Sequence, residues 1–186
     1  MYHIKPDKRS QRSATLICQG FNKCIAKNHN LNQITISQII HEATIGRATF
    51  YRLFDSKRDV LAYECDLLFK QAAIKSKSSN NSSTRDLFLY CAELCIKNHL
   101  LFEAIIKSHQ AQIIYNTLMN RLSLIRKHFR IANNVSDAQM DYFLSDLTHL
   151  IISTLSTWIR HGEKESAQDL ISNAAVIIGI IYRSIK

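Results

Sequence analysis

Glycine and proline are scarce in this chain of 186 residues, which contains four Gly and one Pro. An all-β domain needs a tight turn about every ten residues, and such turns are built largely from Gly, Pro, Asn and Asp. The composition therefore disfavours a β-sandwich or a β-barrel. It favours an all-α fold, and apolar periodicity places about nine helices along the chain.

Long apolar runs and secretion signals are also lacking. The longest apolar run extends from Ala174 to Tyr182, far short of the roughly 20 residues that cross a bilayer. Five Cys residues contain no CxxC pair, and no signal segment begins the sequence. These features favour a reducing cytoplasm and no membrane partner.

Signatures of catalysis are absent from the sequence as well. It contains no nucleophile elbow, phosphate-binding loop, HExxH metal site or glycine-rich dinucleotide turn. The chain is therefore not expected to be an enzyme or to need a cofactor. Cys91 and Cys95 lie four residues apart with His99 continuing the same helix face, so metal or oxidant sensing is an alternative to a pair of reduced core thiols.

Positive charge is concentrated in the N-terminal third of the chain. Residues 1–58 contain ten Lys or Arg and three Asp or Glu, a net charge of +7, whereas residues 59–186 contain fourteen and twelve, a net charge of +2. A basic segment joined to a nearly neutral one is typical of a protein that meets a polyanion at one end, and nucleic acid is the commonest soluble polyanion. A solvated basic surface without such a partner is the alternative.

The basic third also contains the pattern of a helix-turn-helix. Apolar spacing predicts a first helix up to Asn28, a second of two turns after Thr35 as N-cap, and a third over residues 47–54. Two short helices joined by a turn of three or four residues are typical of this motif. The alternative is a helical hairpin whose Phe50 and Tyr51 are only core aromatics.

A helix-turn-helix must brace its second helix through apolar contacts so that the outer face can enter a major groove. Ile39, Ile40, Ala43, Ile45 and Phe50 are the candidates for this brace. The side chains best placed to reach base edges are then those at the start of the third helix, namely Arg47, Ala48 and Thr49.

The segment TISQIIHEATIGRATFYRLFDSKRDVLAYE, which begins at Thr35, resembles the signature of the TetR/AcrR family of transcriptional regulators. The resemblance covers about residues 10–65, and it is most specific at Thr49, Phe50 and Tyr51 with Phe54 and Lys57 at fixed spacing. Towards the C-terminus, TWIRHGEKESAQDL is similar to the end of helix eight and the start of helix nine in many members. The resemblance implies a homodimer that binds a pseudo-palindromic operator in double-stranded DNA.

The resemblance also implies roles for individual residues. Phosphate contacts would come from the start of helix two, from Tyr51 and from Lys57, while the segment 46–49 would face bases and Arg52 could serve either role. A helix N-terminus presents free N–H groups to an anion, and an Arg can bind guanine through two hydrogen bonds. The complete DNA-binding set is Thr35, Ser37, Gly46, Arg47, Ala48, Thr49, Tyr51, Arg52 and Lys57.

Three positions depart from the family pattern. Thr44 stands where the family often has Gly, and a β-branched residue in a left-handed conformation would be strained. Gly46 stands where Ser or Thr is common, and Leu53 replaces the usual His or Tyr, which would remove one phosphate contact. These departures keep open the alternative of a TetR-like interaction module or co-activator without tight DNA binding.

The last predicted helix, over residues 166–185, is apolar nearly all round and should be covered on two sides. A second copy of the chain would supply that cover, and the alternative is the central helix of a monomer. The predicted dimer seam joins this helix to the preceding one, over residues 136–161, through Phe143, Leu147, Leu150, Ile151, Trp158, Ala174, Ile178 and Ile181.

The C-terminal part is also expected to bind a small-molecule effector whose identity the sequence does not disclose. A pocket between helix four, predicted over residues 57–75, and helix eight, predicted over residues 136–161, would be lined by Phe69, His99, Phe102, His109, Tyr115 and Phe143. The sequence therefore predicts a DNA-binding domain over residues 1–58 and a ligand-sensing and dimerisation domain over residues 59–186. Together they would form a ligand-responsive repressor.

Overall fold

The computed structural model describes residues 2–28, 30–78, 83–125 and 135–185, apart from the side chains of residues 76–78, 122–125, 181, 182 and 185. Within these ranges the regular structure is helical, which confirms the predicted all-α fold. A 3-10 turn spans Leu31–Gln33. The α-helices are α1 Lys8–Asn28, α2 Ile36–Glu42, α3 Arg47–Leu53, α4 Lys57–Ser78, α5 Thr84–Lys97, α6 His99–Lys107, α7 Gln112–Ile125, α8 Asp137–Arg160 and α9 Ala167–Ile185.

The chain divides into two compact units. The first comprises residues 1–67 and 99–114, and the second comprises residues 68–98 and 115–186. The first unit therefore extends beyond the predicted boundary at residue 58. One reason is that Val60, Leu61 and Cys65, at the start of α4, are fully buried. Another is that α6 packs against α1.

The core of the first unit follows the apolar spacing of α1. Ala14, Ile17 and Phe21 are fully buried on one face of this helix, and Cys24 and Ile25 continue that face. Burial of each large apolar side chain stabilises the folded state by roughly 1.5–3 kcal/mol. This face of α1 is the surface against which α2 and α3 pack.

Hydrogen-bonded caps define the starts of three helices, including α2 at its predicted N-cap. Thr35 forms a capping box with Gln38 at the start of α2, and Ser136 forms one with Gln139 at the start of α8. At the start of α4, a carboxylate oxygen of Asp59 accepts a hydrogen bond from the backbone N–H of Ser56 at 2.9 Å. Each cap satisfies backbone groups that the first turn of a helix leaves without partners.

The C-terminus of α2 is a Schellman motif with Thr44 at its left-handed position. The Ile45 N–H donates to the Ile40 carbonyl at 3.1 Å, and the Thr44 N–H donates to the His41 carbonyl at 3.1 Å. Thr44 has φ 52°, as expected from its place in the turn. Glycine adopts this conformation without a steric penalty, whereas a β-branched side chain is strained by it.

We expect Thr44→Gly to raise the free energy of unfolding by about 1 kcal/mol, because it relieves left-handed strain at a single residue. Urea denaturation of the two proteins measures this difference. The matched control is Thr15→Gly in the middle of α1, where the same change should destabilise the protein by a few tenths of a kcal/mol. A loss of stability in Thr44→Gly would show that the turn is not strained.

A buried carboxyl group joins α1 to α4 in the first unit. Glu64 is 8% exposed, and its Oε1 accepts a hydrogen bond from Asn22 Nδ2 at 2.6 Å, while Oε2 is buried with no partner among the described residues. Burial raises the pKa of Glu64 to about 8, and the Asn22 hydrogen bond only partly opposes this shift. Glu64 is therefore mainly protonated at neutral pH in the folded chain.

Because the folded pKa lies above the ordinary value of 4.5, the unfolded chain loses this proton first as the pH rises. Folding stability should therefore decrease from about pH 4.5 to about pH 8. We expect Glu64→Gln to remove this decrease and to raise the melting temperature at pH 8 more than at pH 5. Thermal melts across this pH range test the effect, with Glu93→Gln at an exposed position of α5 as the control. Parallel pH profiles for wild type and Glu64→Gln would contradict it.

Candidate nucleic-acid interface

The two faces of α3 differ completely in exposure. Phe50 and Phe54 are fully buried, and Leu53 is 1% exposed. The opposite face carries Tyr51, which is 45% exposed, and Arg52. The Phe50 ring contacts the Tyr51 ring edge-on, with centroids 5.5 Å apart. The short helix is therefore fixed by its inner face and presents cationic and aromatic side chains outward.

The structure corrects the interpretation of Leu53. A His or Tyr at this position was expected to contact phosphate, so that Leu53 would remove such a contact. Instead, the Leu53 side chain belongs to the core of the first unit. Its identity therefore concerns packing in this chain.

The start of α3 is open. Gly46 is its N-cap in an extended conformation with φ −79°, and no side chain caps the helix there. A Cβ on Gly46 would meet nothing within 4 Å, so the departure from the family's Ser or Thr has no steric cause. Arg47 and Ala48 follow as exposed residues, and Thr49 is half-buried.

The predicted contacts from α2 and α3 lie on one surface. Arg47 Nη2 donates a hydrogen bond to Ser37 Oγ at 2.8 Å. Thr35 and Ser37 are both exposed at the start of α2. The predicted base-reading arginine is therefore next to a predicted phosphate-binding hydroxyl, and it can exchange that hydroxyl for a stronger charged or bidentate partner.

Lys57 has a contact that the sequence does not reveal. Its ammonium group donates hydrogen bonds to the carbonyl oxygens of Leu31 at 2.7 Å and Ile34 at 2.8 Å. Burial lowers its pKa, as expected for a half-buried cation. Lys57 therefore stabilises the turn before α2, and its charge lies near that helix.

Each acidic group of the basic segment has a partner outside α3. Asp7 accepts a hydrogen bond from the Ser10 N–H at 2.9 Å, Glu42 pairs with Lys27, and Asp55 lies 3.0 Å from His3 Nε2. Neither Arg52 nor any other residue of α3 has a carboxylate on its own helix, whose sequence is RATFYRL. The helix itself therefore carries Arg47 and Arg52 and no acidic residue.

The N-terminal segment is attached to the end of α3. The backbone N–H of His3 donates to the Leu53 carbonyl at 2.8 Å, and the Tyr2 ring lies 5.2 Å from the Tyr63 ring. These contacts connect the segment to both α3 and α4. Sequence reasoning missed them because no local pattern marks them.

A close helix crossing positions α2 against α1. A Cβ built on Gly20 would lie 2.6 Å from the Ala43 nitrogen and 2.8 Å from the Ile39 carbonyl oxygen. Real Cβ atoms do not approach backbone atoms this closely, so only glycine fits at the crossing. Ile39 and Ala43, both buried, confirm the predicted brace, while Ile40 and Ile45 are half-buried.

Comparison with known proteins identifies the fold. No protein-family model matches the chain, and no curated protein matches it. Among solved structures, Lin0861 from Listeria innocua has a TM-score of 0.72 and 18% identity over 95% of this chain and 96% of that one. A TetR transcriptional regulator from Streptococcus agalactiae has a TM-score of 0.62 and 19% identity over 90% and 94% of the two chains.

The dihydroxyacetone kinase operon activator DhaS is also similar, with a TM-score of 0.61 and 18% identity over 89% of this chain and 93% of that one. The chain has the TetR-regulator fold. At these identities the likeness concerns the fold, and it confirms the architecture that the sequence resemblance implies. Two of these solved neighbours are named as a transcriptional regulator and an operon activator.

The second unit of this TetR fold contains a cavity of about 390 Å³, lined by residues of α4, α5, α7, α8 and α9. Of the six predicted pocket residues, only Phe69 lines it. His99, Phe102 and His109 belong to the first unit, where Phe102 is fully buried. In the second unit, the hydroxyl groups of Tyr115 and Ser145 form a hydrogen bond of 3.2 Å, and Phe143 is 37% exposed.

Seven of the eight predicted dimer residues have described side chains, and these seven fall into three groups. Leu147, Leu150, Ile151, Ala174 and Ile178 line the cavity, and Phe143 is exposed on α8. Trp158 is buried within its own chain, with its ring N–H donating to the Glu165 carbonyl at 3.2 Å. The side chain of Ile181 lies outside the described residues. An exposed apolar face remains on α9, where Val176, Ile177 and Ile180 are 45–56% exposed.

The cysteine pair on α5 has the properties of core thiols. Cys95 is buried, and Cys91 is half-buried. Burial raises the pKa of Cys91 to about 12. A thiol with such a pKa forms little thiolate at neutral pH, and thiolate is the form that binds metals and reacts with oxidants. Among the described residues, no group of three or more His, Cys, Asp or Glu side chains is placed to hold a metal ion.

In the described part of the chain, every helix is either too short or too polar to span a membrane.

We expect Gly20→Ala to destabilise the protein by about 2 kcal/mol, because an added methyl group must push α1 and α2 apart. Urea denaturation measures the loss. Gly46→Ala adds the same methyl group where the structure is open, and it should cost less than about 1 kcal/mol. Equal effects of the two substitutions would contradict the close crossing.

Proposed function

We propose that the chain is a sequence-specific DNA-binding transcriptional regulator that acts as a homodimer on a pseudo-palindromic operator and responds to a small molecule. The observation that carries this proposal is the two-faced α3. Its inner face is sealed by Phe50, Leu53 and Phe54, while Arg47 and Tyr51 are exposed beside the start of α2. A short, rigidly held helix with an outward cationic face is suited to a major groove.

Base reading would come from the start of α3. Arg47 is the side chain with the reach and the paired donors to bind the O6 and N7 atoms of guanine. Ala48 and Thr49 could contact the methyl group of thymine, and Gly46 lets the backbone approach the base edges. These contacts would set the preferred sequence.

Phosphate contacts would place α3 in the groove. Thr35 and Ser37 expose hydroxyl groups at the start of α2, and Tyr51 and Arg52 extend from the outer face of α3. Lys57 would contribute through its charge, because its ammonium group already holds two carbonyl oxygens of the preceding turn. Such contacts fix the position of a protein on the duplex and are largely independent of sequence.

A homodimer would cover the apolar face of α9. Val176, Ile177 and Ile180 expose about half of their surface, and large exposed apolar patches mark interaction sites. Phe143 and Tyr142 on α8 are also exposed. A two-fold dimer would present two α3 helices to successive turns of one face of the duplex, about 34–36 Å apart.

We propose repression as the regulatory outcome, because a dimer bound over a promoter blocks access to it. Activation is the second candidate, and it is favoured by the similarity to DhaS, which is described as an operon activator. A reporter gene placed under the operator sequence that the protein prefers separates the two outcomes. Deleting the regulator would raise reporter expression if it is a repressor and lower it if it is an activator.

We expect the full chain to select a pseudo-palindromic sequence from a pool of random duplexes. The logarithm of its affinity should decrease by about 4.5 per unit of log salt if roughly five phosphates are neutralised per dimer. Arg47→Ala should weaken binding roughly 10- to 100-fold and relax base preference at one position of each half-site. Tyr51→Ala and Lys57→Ala should each weaken binding to all sequences. Lys57→Ala should also lower the melting temperature of the protein.

The matched control is Arg160→Ala, which removes an exposed cation at the end of α8 in the second unit. It should leave affinity and salt dependence unchanged. If the wild-type dimer enriched no sequence and bound duplexes only weakly, the interaction-module alternative would replace this proposal. If Arg47→Ala changed neither affinity nor base preference, α3 would not be the recognition helix.

A further inference from the structure

The cavity of the second unit has the size of a small-molecule site. Its volume is about 390 Å³, and ligand sites commonly measure roughly 300–1,000 Å³. Five helices contribute to its wall, and most of the lining side chains are hydrocarbon. Such a lining favours a ligand with a substantial apolar body, because burying that body removes apolar surface from water.

The charged lining residues of the cavity are of one sign. Arg85 in the first turn of α5 and Arg121 on α7 are both part of the wall, and none of the described residues that line it is acidic. Arg85 is exposed and Arg121 is half-buried. Arg85 therefore places a positive charge where the cavity meets solvent. The polar end of a ligand bound there would remain partly hydrated.

Guanidinium groups select anions at such a site. Arginine presents paired N–H donors that match a carboxylate or a phosphate, and these charged hydrogen bonds are stronger than neutral ones. A cationic ligand would meet two positively charged residues in the wall, where none of the described lining residues is acidic. A neutral ligand would gain only from the apolar wall.

We propose that this cavity binds an amphipathic organic anion, with its hydrocarbon body against the apolar wall and its anionic head at Arg85 and Arg121. The regulatory meaning of this site rests on the proposed function, because the anion would be the effector of the DNA-binding dimer. The binding itself does not depend on DNA. The two are therefore measured separately.

The test uses the full-length protein and four twelve-carbon probes below their micelle concentrations. These are dodecanoate, dodecyl phosphate, dodecan-1-ol and dodecyltrimethylammonium, and their affinities are measured by calorimetry. At least one of the two anions should bind about tenfold or more tightly than the alcohol, whereas the cation should bind more weakly than the alcohol. The two anions distinguish a carboxylate head from a phosphate head.

The double substitution R85Q/R121Q should reduce the preference for anion over alcohol to less than about twofold while leaving alcohol binding nearly unchanged. Arg160→Gln, which removes a cation outside the lining, should retain the preference. Ala73→Phe places a ring in the cavity from α4 and should weaken both anion and alcohol. A melting curve and a molar mass like those of the wild type establish that each variant is folded.

Equal binding of anions and alcohol by the wild type would overturn the proposal, as would an unchanged anion preference in R85Q/R121Q. Failure of every probe to bind would overturn it too, even if the operator assay succeeded. If an anion bound as described but no duplex was recognised, this site would stand and the proposed DNA-binding function would fail.

Discussion

The sealing of one face of α3 into the core is the constraint on which the proposed recognition surface depends. Phe50, Leu53 and Phe54 are at most 1% exposed, and burial of each contributes roughly 1.5–3 kcal/mol. A helix of only two turns gains little from its own hydrogen bonds, so these contacts fix its orientation. The outer residues are thereby free to differ without a large change in stability, which allows the surface to be suited to a particular sequence of DNA.

The parts of this arrangement that the sequence predicted are those determined within a few residues of chain. The apolar spacing of α1, the N-cap at Thr35 and the turn at Thr44 each depend on neighbouring positions. The left-handed conformation of Thr44 follows from its place after α2, and its strain is a local property of a β-branched residue. Such features need no knowledge of which helices meet.

The features that the sequence did not predict depend on contacts between distant segments. An apolar face shows that a helix is covered but does not identify its neighbour. His99 and Phe102 were predicted to line a pocket of the C-terminal domain, but α6 packs against α1 and these residues belong to the first unit. The same limit applies to Gly20, whose neighbour is Ala43. Lys57 was assigned a phosphate contact from the family resemblance and its charge, because its carbonyl partners belong to a turn more than twenty residues earlier.

The last helix connects the cavity with the outer apolar face. Ile171, Ala174, Ala175 and Ile178 follow the spacing of one helix face and line the cavity, where Ala175 and Ile178 are also exposed. Val176, Ile177 and Ile180 lie on the other side of the helix and are exposed as well. A ligand and a second copy of the chain would therefore contact opposite sides of α9. The ligand can change the affinity of dimerisation only if it binds more tightly to one position of α9 than to another. Dimerisation must then change the affinity for the ligand by the same factor. The proposed ligand and the proposed second copy of the chain would together account for the apolar residues on both sides of α9.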